Sequence, residues 1–158
     1  MKEENNTQTA LFVGSFDPFT IGHADIVDRT LKLFGRIVIG VGINPEKHCM
    51  QTTEDRINAI KSLYEGYNRV RVIGFNDLAV DLAQREKVDF IVKGVRSVKD
   101  FEYEREQAEL NRRMTGIETI LLYADPSLAA ISSSAVRQLA YFNKDTSCML
   151  PKAKKEIE

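Results

Sequence analysis

The amino-acid sequence predicts an α/β fold: one domain built on a doubly wound, five-stranded parallel sheet. Three observations predict it. Short runs rich in Val, Ile, Leu and Phe recur at residues 10–13, 36–43, 70–75, 89–92 and 118–123. Segments of helical periodicity separate them. Runs that are apolar on both faces belong to strands covered on both sides, and strand–helix alternation yields parallel pairing. At 158 residues the chain is long enough for one well-packed core and short for two.

Residues 1–9 are polar and are expected to be poorly ordered, leaving 10–158 as the domain. The first strand runs into Gly14-Ser15-Phe16-Asp17-Pro18-Phe19-Thr20-Ile21-Gly22-His23. This decapeptide reads as a glycine-started turn followed by a helix beginning near Thr20. Small residues, a hydroxyl and an imidazole thus gather at a helix N-terminus, where unpaired backbone N–H groups favour an anion. It is not a P-loop, because it lacks the Lys-Ser/Thr end. In the first helix Ala24, Val27, Leu31 and Phe34 form an apolar stripe. The second has Thr52 and Thr53 as candidate N-caps and Ile57, Ile60 and Leu63 as its stripe. A third covers about 77–86 and a fourth about 100–114, where Asp100 and Glu102 suit the helix dipole. A fifth begins in Ser132-Ser133-Ser134 and runs towards Phe142; the charged tail from 152 suggests a short surface helix after Pro151.

Periodicity does not give the order of strands in space. If the order is 3-2-1-4-5, ligands bind beyond the carboxyl ends of strands one and four, where the winding reverses. The connections meeting there would be 14–23, Lys93-Gly94-Val95-Arg96-Ser97, 44–51 and 124–134. They would bring Lys47, Lys93 and Arg96 together, with Arg137 a turn further on. Gly94, between two cations, would let backbone approach a ligand closely. The net charge is −1, which excludes a general nucleic-acid or membrane-surface binder, while a focused positive site suits a polyphosphate.

Simpler readings exist for single motifs. Thr20-x-x-His23 alone is a turn and a cap, three serines are ordinary capping material, and His48 and Cys49 read as a solvated loop. Glu104 shares a helix face with Gln107, Ala108 and Asn111, a face that periodicity leaves either solvated or ligand-lining. Cys49 and Cys148 lack metal-ligand spacing and read as reduced thiols, with a disulfide between them as the alternative. No apolar run follows a basic N-terminal segment and none approaches about 20 residues, so a cytoplasmic location is expected.

The motifs combine into a resemblance. Thr20-Ile21-Gly22-His23, preceded by Gly14-Ser15-Phe16-Asp17-Pro18, resembles the T-x-G-H motif of the HIGH-type nucleotidyltransferase superfamily. Ile131-Ser132-Ser133-Ser134 with Arg137 resembles the I-S-S-S/T-x-x-R signature near that superfamily's C-terminus. With the V-K-G-V-R-S-V-K-D-F-E-Y-E run at 92–104, the chain resembles the phosphopantetheine adenylyltransferase family from about Leu11 to about Pro151. The resemblance implies a Rossmann-like nucleotidyltransferase fold and transfer of the adenylyl group of ATP to 4′-phosphopantetheine. The products would be dephospho-coenzyme A and pyrophosphate, in coenzyme A biosynthesis. It also implies Mg2+ carried with ATP, and a homohexamer.

By matched position, Ser15, His23 and Lys47 would be catalytic. Ser15 would orient the attacking phosphate and His23 would stabilise charge on the α-phosphate. Lys47 and Lys93 would bind the acceptor phosphate, with Ala79 near the pantetheine arm. ATP would be bound by Ser15, Phe16, His23, Gly94, Val95, Arg96, Glu104, Leu128, Ala129, Ala130, Ile131, Ser132, Ser133 and Ser134. The reacting anion needs no strong base, and no acidic cluster suggests a dedicated metal cage. Two positions depart from the family pattern: Ser15 stands where Thr is usual, and Lys93 where Arg is usual, which keeps charge but loses the bidentate fork.

Other readings fit less of the sequence. An adenylyltransferase acting on nicotinamide mononucleotide would share both signatures but not the D-F-E-Y-E segment or the 93–96 run. A cytidylyltransferase usually lacks Pro18 in its first motif. A nucleotide-binding regulator without catalysis would be expected to have lost Ser15, His23 or Lys47. A tRNA synthetase fragment would need a basic surface.

Overall fold

A computed structural model describes residues 6–153. The strands are β1 (Thr9–Gly14), β2 (Arg36–Gly42), β3 (Val70–Phe75), β4 (Phe90–Val95) and β5 (Glu118–Tyr123). The helices are α1 (Ile21–Leu33), α2 (Thr53–Leu63), α3 (Ala79–Arg85), α4 (Val98–Thr115) and α5 (Ser133–Tyr141). All strand pairs are parallel and the order is β3-β2-β1-β4-β5. Winding therefore reverses between β1 and β4, and the carboxyl ends of those strands open onto one crevice.

The two-residue alternation of β1 builds both layers of the core. Ala10 and Phe12 face α1 and α2, packing with Val27, Ile37, Ile39 and Ile60. Leu11 and Val13 face the other way, onto Val80, Leu82 and Ala83 of α3. Leu11, Ile37, Ile39 and Ile91 are at most 1% exposed, and each such side chain contributes about 1.5–3 kcal/mol by leaving water. α3 packs closest over Gly40, where a Cβ would lie 2.7 Å from Leu82 Cδ2.

Several boundaries differ from expectation, each for a local reason. β4 continues through Lys93, Gly94 and Val95, which pair with Leu121, Leu122 and Tyr123. These three residues are the strand's end and not a loop. The close approach at Gly94 is made by α1, since a Cβ there would meet Ile26 Cγ1 at 3.1 Å. α4 opens two residues early, because Ser97 is its cap and accepts from the Asp100 N–H at 3.1 Å. α3 begins only at Ala79; the Asp77 side chain instead takes the Arg85 guanidinium at 2.7 Å.

Residues 6–8, expected to be poorly ordered, are fastened to the α1–β2 junction, and β1 already starts at Thr9. Asn6 Nδ2 donates to the Leu33 carbonyl, and the Gln8 carbonyl accepts from Gly35 and Arg36 at 3.0 and 3.2 Å. The helix expected after Pro151 falls largely beyond the described residues. Among the described residues no helix is long and apolar enough to cross a membrane.

Candidate active site

The turn after β1 is held by its aromatic rings. Phe16 has φ 51°, a conformation that costs an L-residue about 1–2 kcal/mol. Burial of its ring offsets that cost: the ring is 3% exposed and lies 5.3 Å from Phe12, 5.2 Å from Phe19 and 5.0 Å from His23. Gly14 leaves room beneath it: a Cβ there would meet Phe16 Cε1 at 3.0 Å, a tight contact.

Thr20 is the N-cap of α1, and His23, three residues on, closes a reciprocal capping box. The Thr20 backbone N–H donates to His23 Nδ1 at 2.9 Å. An imidazole nitrogen that accepts carries no proton, so neutral His23 has its hydrogen on Nε2. Burial among the rings of Phe12, Phe16 and Phe19, reinforced by the positive charge of Arg96, lowers the His23 pKa to about 4. At neutral pH the ring is an uncharged N–H donor.

Two buried charges flank Ser15, and neither stood out in the sequence. Arg56 of α2, 2% exposed, donates from Nη1 to the carbonyls of Ser15 and Gly42 and from Nη2 to Thr53 Oγ1. All three acceptors are neutral, and Nε is buried without a partner. Asp17 is 3% exposed and accepts from the Met50 and Gln51 amides at 2.7 and 2.9 Å.

The second serine-rich motif is joined to this turn from the far end of the chain. Ser133 Oγ donates to the Pro18 carbonyl at 2.8 Å, and Arg137 Nη1 to the Asp17 carbonyl at 2.8 Å. Ser132 caps α5 by accepting from the Ala135 N–H at 3.1 Å, and Ser134 Oγ accepts from Arg137 at 3.1 Å. The three hydroxyls are thus engaged within the protein. The first-turn amides of Ser133 and Ser134 have no intrahelical acceptor, an arrangement that favours an anion.

These elements enclose a cleft of about 310 Å³. Of the residues expected to bind ligand, Phe16, His23, Lys93, Gly94, Arg96, Glu104, Leu128, Ile131, Ser132, Ser133 and Ser134 line it. Gly14, Thr20, Gly22 and Asp100 line it too. Lys93 Nζ lies 3.6 Å from Glu104 Oε2, and Arg96 Nε lies 3.3 Å from Asp100 Oδ2, so α4 carboxylates balance both cations.

Six expected residues do not form the cleft wall. Ser15 turns its carbonyl to Arg56, and Lys47 is exposed in the loop after β2. Ala79 opens α3. Val95 is 3% exposed in β4, and Ala129 and Ala130 follow a 3-10 turn at Pro126–Leu128. Among the described residues no group of three or more His, Cys, Asp or Glu is placed to hold a metal ion.

Comparison with known proteins agrees with this architecture. Residues 11–139 match the family model described as cytidylyltransferase-like. The chain is 46% identical to the phosphopantetheine adenylyltransferase of Bacteroides thetaiotaomicron, covering 90% of this chain and 94% of that protein. It is 47% identical to that of Porphyromonas gingivalis (90% and 93%) and 40% identical to that of Clostridium perfringens (92% and 89%). Among solved structures, the bifunctional NMN adenylyltransferase/ADP ribose pyrophosphatase of Francisella tularensis, complexed with AMP and Mn ion, shares the fold. Its TM-score is 0.69 at 15% identity, over 94% of this chain and 45% of that one. The structural likeness is one of fold, and the sequence identity over nine-tenths of the length makes the assignment: the chain belongs to the phosphopantetheine adenylyltransferase family.

Proposed function

We propose that the protein transfers the adenylyl group of ATP to 4′-phosphopantetheine, forming dephospho-coenzyme A and pyrophosphate. The observation that carries this is the Thr20–His23 hydrogen bond, which leaves an uncharged Nε2–H on the wall of a cleft that also holds the α5 N-terminus, Lys93 and Arg96.

A phosphate oxygen of the acceptor attacks the α-phosphorus of ATP. The bond from that phosphorus to the bridging oxygen breaks, and pyrophosphate leaves with the electron pair. The nucleophile is already anionic at neutral pH, so the protein needs no general base. Its work is to align two anions and stabilise charge as it develops. His23 Nε2–H donates to the α-phosphoryl oxygen. Arg96 and the first-turn amides of α5 receive the β- and γ-phosphates. Gly94, Val95, Glu104, Phe16 and residues 128–131 surround the rest of the nucleotide.

Ser15, Lys47 and Lys93 hold the acceptor phosphate, with Ala79 beside the pantetheine arm; binding exchanges the Lys93–Glu104 contact for a phosphate. Mg2+ enters as part of the ATP substrate. α4 has no buried side chain and exposes Val98, Leu110 and Met114, which suits burial against further copies in a homohexamer. The near-zero net charge suits a cytoplasmic enzyme without nucleic-acid or membrane partners.

The test is pyrophosphate release from ATP and magnesium, with 4′-phosphopantetheine and nicotinamide mononucleotide as parallel acceptors. Release with 4′-phosphopantetheine alone is expected. Release with the mononucleotide alone would overturn the acceptor, and ATP binding without turnover on either would favour a regulator.

A further inference from the structure

We infer that Asp17 is a positioning residue that locks the loop at 43–52, which carries Lys47, onto the turn that carries Ser15; this rests on the adenylyl transfer proposed above. Its two carboxylate oxygens accept from consecutive amides, Met50 at 2.7 Å on Oδ2 and Gln51 at 2.9 Å on Oδ1. Its own carbonyl accepts from Arg137 of α5 at 2.8 Å. One residue is thereby bonded to the loop after β2 and to α5 at once.

A carboxylate that is 3% exposed opposes folding unless its charge is met, and two charge-assisted N–H bonds meet it here. The loop is tied at its two ends, where the Ile43 N–H donates to the Phe75 carbonyl at 2.7 Å and Thr52 caps α2. Its internal bonds lie at its start, from the Glu46 N–H to Asn44 Oδ1 at 2.9 Å and from the Lys47 N–H to the Asn44 carbonyl at 3.1 Å. Lys47 therefore sits between that turn and the Asp17 clamp three residues later. Without the clamp the segment between the Asn44 turn and the Thr52 cap loses its tie to the turn that carries Ser15, and Lys47 is no longer positioned for the acceptor phosphate. The contacts assigned to ATP, through Arg96 and the α5 amides, do not pass through the Asp17 carboxylate. The effect therefore falls on the acceptor.

Asp17→Asn sets an amide NH2 against one of the two N–H donors. The KM for 4′-phosphopantetheine is expected to rise about tenfold while that for ATP stays within about twofold. A parallel rise in both, or no rise in either, overturns the proposal. Hydrogen exchange tests the clamp in the unsubstituted protein, whether or not the variant folds. The Met50 and Gln51 amides should exchange at least about tenfold more slowly than those of His48 and Cys49 in the same loop. Equal rates overturn the clamp. Slow exchange in a protein that leaves 4′-phosphopantetheine unadenylylated would support the clamp and remove the proposed acceptor instead.

Discussion

The backbone N–H of Thr20 donates to His23 Nδ1 at 2.9 Å, so a single helix cap decides both where α1 begins and which nitrogen of the ring carries the proton. The Thr20 hydroxyl lies 3.1 Å from the same nitrogen. A residue that reads as an ordinary N-cap thus orients the donor proposed to act on the α-phosphate.

Replacing His23 should separate catalysis from folding. His23→Ala removes a donor aimed at developing charge, and kcat should fall about 10²–10³-fold. The loss of half a capping box costs about 1 kcal/mol, so the variant should remain folded. Initial rates of pyrophosphate release and a thermal melt check both parts; near-normal turnover would remove His23 from the mechanism.

Acid should weaken the fold through the same ring. The folded-state pKa of His23 is depressed from 6.5 to about 4, so between those values the unfolded chain binds more protons. The stability this gives is complete above pH 6.5 and is lost as pH falls towards 4. It amounts to at most about 3 kcal/mol. Urea unfolding at pH 7 and pH 4.5 should show a larger loss for the native sequence than for His23→Gln. Equal losses would contradict the ring's burial in its neutral form.

Arg56→Met should destabilise the protein by about 2–4 kcal/mol, because it strands the Ser15 and Gly42 carbonyls without their donor. Urea unfolding measures the loss. An unchanged midpoint would mean that water or a neighbouring donor reaches those carbonyls.

Lys93→Arg introduces the residue that the family resemblance leads one to expect there. A guanidinium can stay near Glu104, now 3.6 Å from Lys93 Nζ, and offer a two-pronged grip to phosphate. The KM for 4′-phosphopantetheine should fall about three- to tenfold with kcat little changed. Steady-state kinetics with the acceptor varied gives the answer, and an unchanged KM would place Lys93 away from the acceptor phosphate.

Much of the scaffold was legible in the sequence. β3 and β5 lie at the expected residues, Val70–Phe75 and Glu118–Tyr123, because their apolar runs end where polar or glycine-bearing segments begin. Thr20, Thr52 and Ser132 cap their helices as their positions suggested. β4 was underestimated, because a lysine and a glycine at its end break the apolar signal while still pairing with β5. Arg56 reads as part of a polar helix face, yet it precedes Ile60 and Leu63 by four and seven residues, a helical spacing that points it inward. Asp17 and Ser133 carry no comparable local signal, since their partners lie 33 and 115 residues away. Only the folded chain brings them together.

In the proposed reaction the adenylyl group is what moves. The most direct measurement uses ATP carrying radioactive phosphorus at either the α or the γ position, with 4′-phosphopantetheine and magnesium. Label from the α position should appear in dephospho-coenzyme A, and label from the γ position should leave as pyrophosphate. Label from the γ position in the acceptor product would show phosphoryl transfer and overturn adenylyl transfer.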